Sequence, residues 1–280
     1  MKIARIHADG KTGWARIDED AQTAALLNCE LEDIFAAIKG KGVRTLALSA
    51  PKPLAGVTLL APVNPCAKIV CVGLNYRSHV EAFGREMPDS PVAFLKAQSA
   101  VIPHDADLVM PVLTQKLDYE IELVAVMGDA PKPGACPADS IIGYTIGNDA
   151  SARDLQHGPR GVDLYSSKSL DGTCGIGPWI VTVDEIGTAP DLAMELRVNG
   201  QIRQSDRTGS MEWSVSELLA YVQARSSLKP GDLVFTGTPA GVALESGVFL
   251  QSGDVVECQI ESIGCLRNRI TAPKGGGEDA

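Results

Sequence analysis

The chain has 280 residues and a formal net charge of −10, with 35 acidic against 25 basic side chains. That balance argues against a nucleic-acid partner, because gripping a phosphate backbone needs a cationic face. No apolar run is long enough to cross a bilayer and the start, MKIARIHADGKTGWARID, lacks the apolar stretch of a secretory signal, so a cytoplasmic protein with no membrane partner is expected.

KIARIHADG and TGWARID alternate apolar and polar residues around Asp9-Gly10, which predicts a hairpin. CELEDIFAAIKG predicts a short helix and VTLLAPV a closing strand, and Pro62 and Pro65 mark a boundary. Residues 1–66 are therefore expected to form a small N-terminal domain with no visible chemistry, residues 67–273 a larger catalytic domain, and the Gly-rich, charged residues 274–280 a disordered tail.

From Lys68 onward strands recur between turn signals: KIVCVG, VAFLKA, YEIELVAVMG, IIGYTIG, WIVTV, AMELRVNG, DLVFTG, VVECQIESIG and LRNRIT. Helical patterns are fewer, RSHVEAFGRE and SVSELLAYVQARSS, the second opening on Ser214 and Glu217 with capping-box spacing. No regular strand–helix–strand alternation and no phosphate-binding glycine motif occurs. The expectation is a β-rich α+β fold, a folded-over sheet or distorted barrel. Seven cysteines, an odd number without a CxxC, predict reduced and mostly buried thiols.

Two stretches carry the chemistry. In LDYEIELVAVMG, Glu120 and Glu122 stand two apart in a run that otherwise reads as an interior strand, so their side chains share a face. Like charges on one apolar face repel and are costly to bury. Asp149 follows a second apolar run, IIGYTIG. Either the two glutamates face solvent on an edge strand and Asp149 caps a helix, or the three carboxylates hold a hard divalent cation, Mg²⁺, Mn²⁺ or Ca²⁺, rather than zinc.

Four further segments, KIVCVGLNYRSHVEAFG, PVAFLKAQS, NDASARDLQ and PGDLVFTGTPAGV followed by GDVVECQIESIGCLRNRI, stand in an order and spacing that resemble the fumarylacetoacetate hydrolase family from about Lys68 to Thr271. The resemblance implies a mixed β-sandwich roll with a small N-terminal domain, a homodimer, and Mg²⁺ or Mn²⁺ held by Glu120, Glu122 and Asp149. An acidic small-molecule substrate would chelate that ion through two oxygens. It further implies that Lys168, which alone would read as a solvated surface lysine, stands near the metal, and that Gln156 orients water or substrate. Thr238 matches a threonine that holds a substrate carboxylate or a water, although the surrounding glycines and Pro239 also shape a tight turn. Asn75, Tyr76, Arg77 and Lys96 fall where substrate contacts gather. Arg153 suits a substrate ligand and a structural partner of Asp154 or Asp149 equally well.

His79 matches a family histidine that opens a mobile lid helix and is commonly paired with a glutamate three residues on. Here that position is Ala82, and Glu81 is two on. Either the helix is irregular and Glu81 still reaches, or the acid comes from elsewhere, or the water-activating pair is absent. Cys174 reads as a packed thiol. The resemblance implies a metal-dependent hydrolase cleaving a C–C bond in a β-diketo or acylpyruvate-like acid. The alternatives are an isomerase or decarboxylase of a 2-oxo or 2-hydroxy-diene-dioic acid and, further off, a member that binds a small acid without turnover.

Overall fold

The structure, a computed structural model, describes residues 1–40, 46, 48–158 and 161–273; the tail expected over 274–280 lies outside the described residues. The N-terminal alternation gives a two-residue hairpin. Strand Lys2–Ala8 pairs antiparallel with Lys11–Asp18, and Asp9 and Gly10 take the left-handed φ values of 49° and 72° that such a loop requires. The helix Leu31–Lys39 opens on a capping box between Glu30 and Asp33 and buries Leu31, Ile34, Phe35 and Ile38, one stripe at helical spacing.

This region is hydrogen-bonded into the main sheet. Lys2–Ala8 also pairs with Cys174–Thr182, Lys2 opposite Val181 and Ile3 opposite Ile180. The 12-stranded sheet runs Lys52–Pro53, Thr23–Leu26, Lys11–Asp18, Lys2–Ala8, Cys174–Thr182, Ile141–Asp149, Ile121–Met127, Leu233–Phe235, Ile69–Gly73, Val92–Lys96, with two short strands off this path. It is mostly antiparallel, but Leu233–Phe235 runs parallel to Ile69–Gly73. A five-stranded sheet, Gln201–Arg207, Ala193–Val198, Val255–Ile260, Gly264–Thr271, Asp107–Val109, lies against it. The fold is β-rich with mixed sheets, and among the described residues no barrel closes.

The central strand Ile121–Met127 is buried on both faces. Ile121, Leu123, Ala125 and Met127 join the apolar layer between the sheets, while Val124 and Val126 pack on the other side with Ile34 and Phe235. Burial on both faces explains why this segment reads as one unbroken apolar run instead of alternating. The capping box at Ser214 and Glu217 is present and starts the helix Val215–Gln223. The helix expected over RSHVEAFGRE is shorter, Arg77–Ala82, and Gly84 follows at φ 62°.

All seven cysteines are free, but fewer are enclosed than expected: Cys71, Cys174 and Cys258 are buried, while Cys66 and Cys136 are exposed. Cys174 is a packed thiol, its pKa pushed up to about 12 by burial. Among the described residues no helix is long and apolar enough to cross a membrane.

Candidate functional site

Adjacent strand ends bring the three acids together. Asp149 closes the strand Ile141–Asp149, and Glu122 is the second residue of Ile121–Met127. Glu120 lies just before that strand. Its N–H donates to Asn148 Oδ1 and its carbonyl accepts from the Asp149 N–H, so the two acids are fastened through the backbone. The ligand oxygens of Glu120, Glu122 and Asp149 all fall within 4.8 Å of one another. All three residues are buried, which removes the solvent-facing alternative.

Three cations are buried with them. Lys168, at the end of the short helix Leu164–Lys168, donates to Glu120 Oε2 at 2.7 Å, to Asp149 Oδ2 at 2.8 Å and to the Asp149 carbonyl at 3.1 Å. It is 4 % exposed, not the surface lysine that a Ser-rich stretch suggests, and these bonds use all three of its donors. Lys96 Nζ lies 2.7 Å from Asp149 Oδ1 and donates to the Lys168 carbonyl. Arg153 spans Asp118 (Nε to Oδ2, 2.7 Å) and Glu120 (Nη2 to Oε1, 2.5 Å) and donates to Gln156 Oε1. Its partners are thus Asp118 and Glu120, not the Asp154 or Asp149 suggested by proximity in sequence.

The distribution of charge is uneven. Burial pushes the Glu120 carboxyl up, but Lys168 and Arg153 outweigh it and hold its pKa at about 2. Burial raises the Glu122 carboxyl well above the usual range, and the nearby Asp149 and Glu120 add to the rise. Glu122 accepts one backbone hydrogen bond, from Gly237 N–H at 2.7 Å, and among the described residues forms no ion pair. Burial opposes the charge on Lys96 and Lys168, yet the adjoining carboxylates raise both pKa values. A buried carboxylate without a cation, facing two more oxygen donors, is the environment a hard dication fits.

Glu120, Glu122, Asp149, Arg153 and Lys168 floor a cavity of about 200 Å³, which Gln156, Thr238 and His79 also line. The Thr238 hydroxyl donates to the Ile121 carbonyl and accepts from Gln204 Nε2. His79 is buried, packs edge-on against Phe83, and has an Nδ1 without a hydrogen-bond partner. The acid nearest to it is Glu245, whose Oε1 lies 3.7 Å from Nδ1. Burial pushes the Glu245 carboxyl up, but the neighbouring His79 and the Gly241 N–H more than offset it, so its pKa is lowered. Glu81 is exposed and does not line the cavity, because a position two residues along a helix turns away from the first. The acid beside His79 therefore comes from elsewhere in the chain.

Four further residues expected among the substrate contacts, Asn75, Tyr76, Arg77 and Lys96, stand outside the cavity lining. Asn75 is fully buried and spends its amide on the backbone: Nδ2 donates to the Trp213 and Thr236 carbonyls and Oδ1 accepts from the Trp213 N–H. It pins the turn in which Leu74, a cavity residue, sits at φ 59°. Tyr76 is a core residue with its hydroxyl on Met194 Sδ, and Arg77 points outward to Glu212. None of these three lines the cavity, nor does Lys96, which holds Asp149 from behind. Replacement of Asn75 by alanine is expected to cost on the order of 2–4 kcal/mol, read as a lower urea midpoint, because buried backbone groups lose partners; a midpoint like that of the parent would show the pin to be dispensable. Asp118, Glu245 and the Gly237 N–H have no distinctive sequence signal beyond the adjacency of Asp118 to Tyr119-Glu120.

Residues 68–271 match the family model described as fumarylacetoacetate (FAA) hydrolase C-terminal. The chain belongs to the fumarylacetoacetate hydrolase family. It is similar to the 2,4-didehydro-3-deoxy-L-rhamnonate hydrolase of Sphingomonas sp., 35 % identical over 279 residues, 97 % of this chain and 96 % of the relative. It is also similar to the mitochondrial oxaloacetate tautomerase FAHD2A of Bos taurus, 37 % identical over 233 residues, 81 % of this chain and 74 % of the relative. Among solved structures it resembles fumarylpyruvate hydrolase from Pseudomonas aeruginosa in complex with Mn²⁺ and pyruvate, with a TM-score of 0.68 and 32 % identity, covering 77 % of this chain and 92 % of the other. The chain is thus an enzyme of a family whose members act as hydrolases, isomerases and tautomerases.

Proposed function

We propose that this family member is a divalent-metal-dependent hydrolase that cleaves a C–C bond in a β-diketo or acylpyruvate-like acid. The observation that carries this reading is the His79–Glu245 pair at the edge of a cavity floored by Glu120, Glu122 and Asp149. Support comes from two hydrolases to which the chain is similar, one matched over nearly the whole chain and the other solved with Mn²⁺. Glu120, Glu122 and Asp149 would hold Mg²⁺ or Mn²⁺, which when bound polarises the oxygens of a chelated substrate.

The remaining steps belong to side chains of this protein. His79, steadied by Glu245, takes a proton from a water in the cavity, and the hydroxide adds to the distal carbonyl. The C–C bond then breaks, its electron pair departs with the leaving carbon, and His79 returns the proton to that fragment. Lys168 supplies fixed positive charge beside the fragment that becomes negative. Its donors are already committed to Glu120 and Asp149, so its role is field and positioning. Gln156, held by Arg153, and Thr238, held by Ile121 and Gln204, present oriented polar groups to the ligand.

In Mg²⁺-dependent turnover of acylpyruvates, His79→Asn and Glu245→Gln should each lower kcat by about 10²–10³-fold, while Glu81→Gln stays within about twofold. Equal losses at Glu81 and Glu245 would defeat the pairing. A second reading, tautomerisation, is favoured by the similarity to oxaloacetate tautomerase. It predicts that enol–keto conversion of oxaloacetate survives in His79→Asn when hydrolysis does not.

A further inference from the structure

Gln201–Arg207 is an edge strand of the five-stranded sheet, and Gln204 is the one residue of its seven that is buried, at 1 % exposure. Its amide reaches across to the twelve-stranded sheet. Oε1 accepts from the Ile121 N–H at 3.0 Å, and Nε2 donates to the Thr238 hydroxyl and to the Pro239 carbonyl, both at 2.8 Å. Both donors of the amide are thereby used. The Thr238 hydroxyl in turn donates to the Ile121 carbonyl at 2.8 Å, so Gln204, Thr238 and Ile121 close a ring.

Ile121 is the residue between Glu120 and Glu122. On this side of its strand the ladder to Leu233–Phe235 runs over Val124, Ala125 and Val126, and the Thr236 N–H on the Leu123 carbonyl extends it by one bond. Beyond that the chain turns away through Gly237, at φ 95°. The N–H and C=O of Ile121 are buried and need partners that the ladder no longer supplies. Gln204 and Thr238 offer what a neighbouring strand would, an acceptor for the N–H and a donor for the C=O. An apolar residue at position 204 would strand the Ile121 N–H.

We propose that Gln204 is a positioning residue for the three-acid cluster: from the opposite sheet it fixes the backbone between Glu120 and Glu122, so that carboxylates which repel one another stay close enough to share one divalent cation. This rests on the reading that Glu120, Glu122 and Asp149 hold that cation. A tilt of the Ile121 peptide groups would carry the side chains on either side of it along, and buried like charges push toward such a movement. The same amide holds the turn that gives Glu122 its bond from the Gly237 N–H, so the strand and the turn that fix Glu122 both depend on it. Partners one shell out from a metal are worth about ten- to a hundredfold in its affinity.

The test reads Mn²⁺ affinity, from the electron paramagnetic resonance signal of the free ion, in wild type, Gln204→Met and Thr208→Val. Thr208 is also 1 % exposed, and its hydroxyl accepts from the Leu192 N–H and donates to the Pro190 carbonyl, so its loss removes buried hydrogen bonds made to neither acid-bearing strand. Gln204→Met should weaken Mn²⁺ binding about tenfold or more, while Thr208→Val stays within about twofold of wild type. Should Gln204→Met fail to fold, amide hydrogen exchange in wild type decides. A bridge that favours the cation is favoured by it to the same factor, so saturating Mg²⁺ should slow exchange at Ile121 about tenfold more than at Leu192. Wild-type Mn²⁺ affinity in Gln204→Met, an equal loss in Thr208→Val, or the same Mg²⁺ effect at both amides would overturn the inference and leave the metal centre standing. A wild type that takes up no Mn²⁺ would overturn the metal reading itself, and this inference with it.

Discussion

Glu122→Gln should abolish tight Mg²⁺ or Mn²⁺ binding and lower metal-dependent turnover by roughly 10³-fold or more, the several kcal/mol that a Lewis-acidic cation supplies. The same change should leave the metal-free protein at least as stable as its parent. Glu122 is buried, forms no ion pair among the described residues, and is opposed by Glu120 and Asp149, so its charge works against the fold until a cation arrives. Glutamine keeps the shape and still accepts from the Gly237 N–H, which lies 2.7 Å from Oε2 in the parent. With Mn²⁺ at about 100 times its Kd, the parent should gain about 2.7 kcal/mol of unfolding free energy and the variant almost nothing. Urea denaturation with and without Mn²⁺, beside a Mn²⁺ titration, gives both numbers. A variant that binds Mn²⁺ as the parent does would remove the metal centre from this account.

Arg153→Met should be the most destabilising single change at the site, about 3–5 kcal/mol in urea unfolding, because it strands two buried carboxylates at once. Arg153 is 8 % exposed and bridges Asp118 and Glu120 with separate nitrogens. Burial already raises the Asp118 pKa in spite of Arg153, so loss of the guanidinium would leave that carboxyl more unfavourable still. Lysine cannot form the fork and should rescue little. Asp118 also accepts from the N–H groups of Ala243 and Leu244, the turn that carries Glu245, so activity should fall together with stability. Asp118→Asn in the Arg153→Met background should recover part of the loss, because a neutral amide no longer needs the missing cation. Strict additivity of the two changes would show that the ion pair is not the source of the cost.

Glu120, Glu122 and Asp149 were legible because charge inside an apolar strand is conspicuous, and period-two alternation puts the first two on one face. The hairpin at Asp9-Gly10 and the capping box at Ser214 were legible for a similar reason: each is a local pattern with a local cause. Lys168 was visible only through family resemblance, since a lysine in LYSSKSLDG carries no sign of burial. Asn75 misled because its neighbourhood was right and its amide is spent on the backbone.

The acid beside His79 was out of reach. Glu245 is far away in sequence and arrives through a turn capped by Asp118, whereas local spacing points only to Glu81. The union of the first strand with Cys174–Thr182 is equally silent, because backbone N–H and C=O groups are the same at every residue and do not name their partners. The sequence by itself determined where charge interrupts apolar strands, and with that the all-oxygen donor set of the three acids. Only the tertiary structure decided which cation neutralises which acid and which acid faces His79. Those pairings depend on distances across the fold, and electrostatic interaction follows separation in space whatever the separation along the chain.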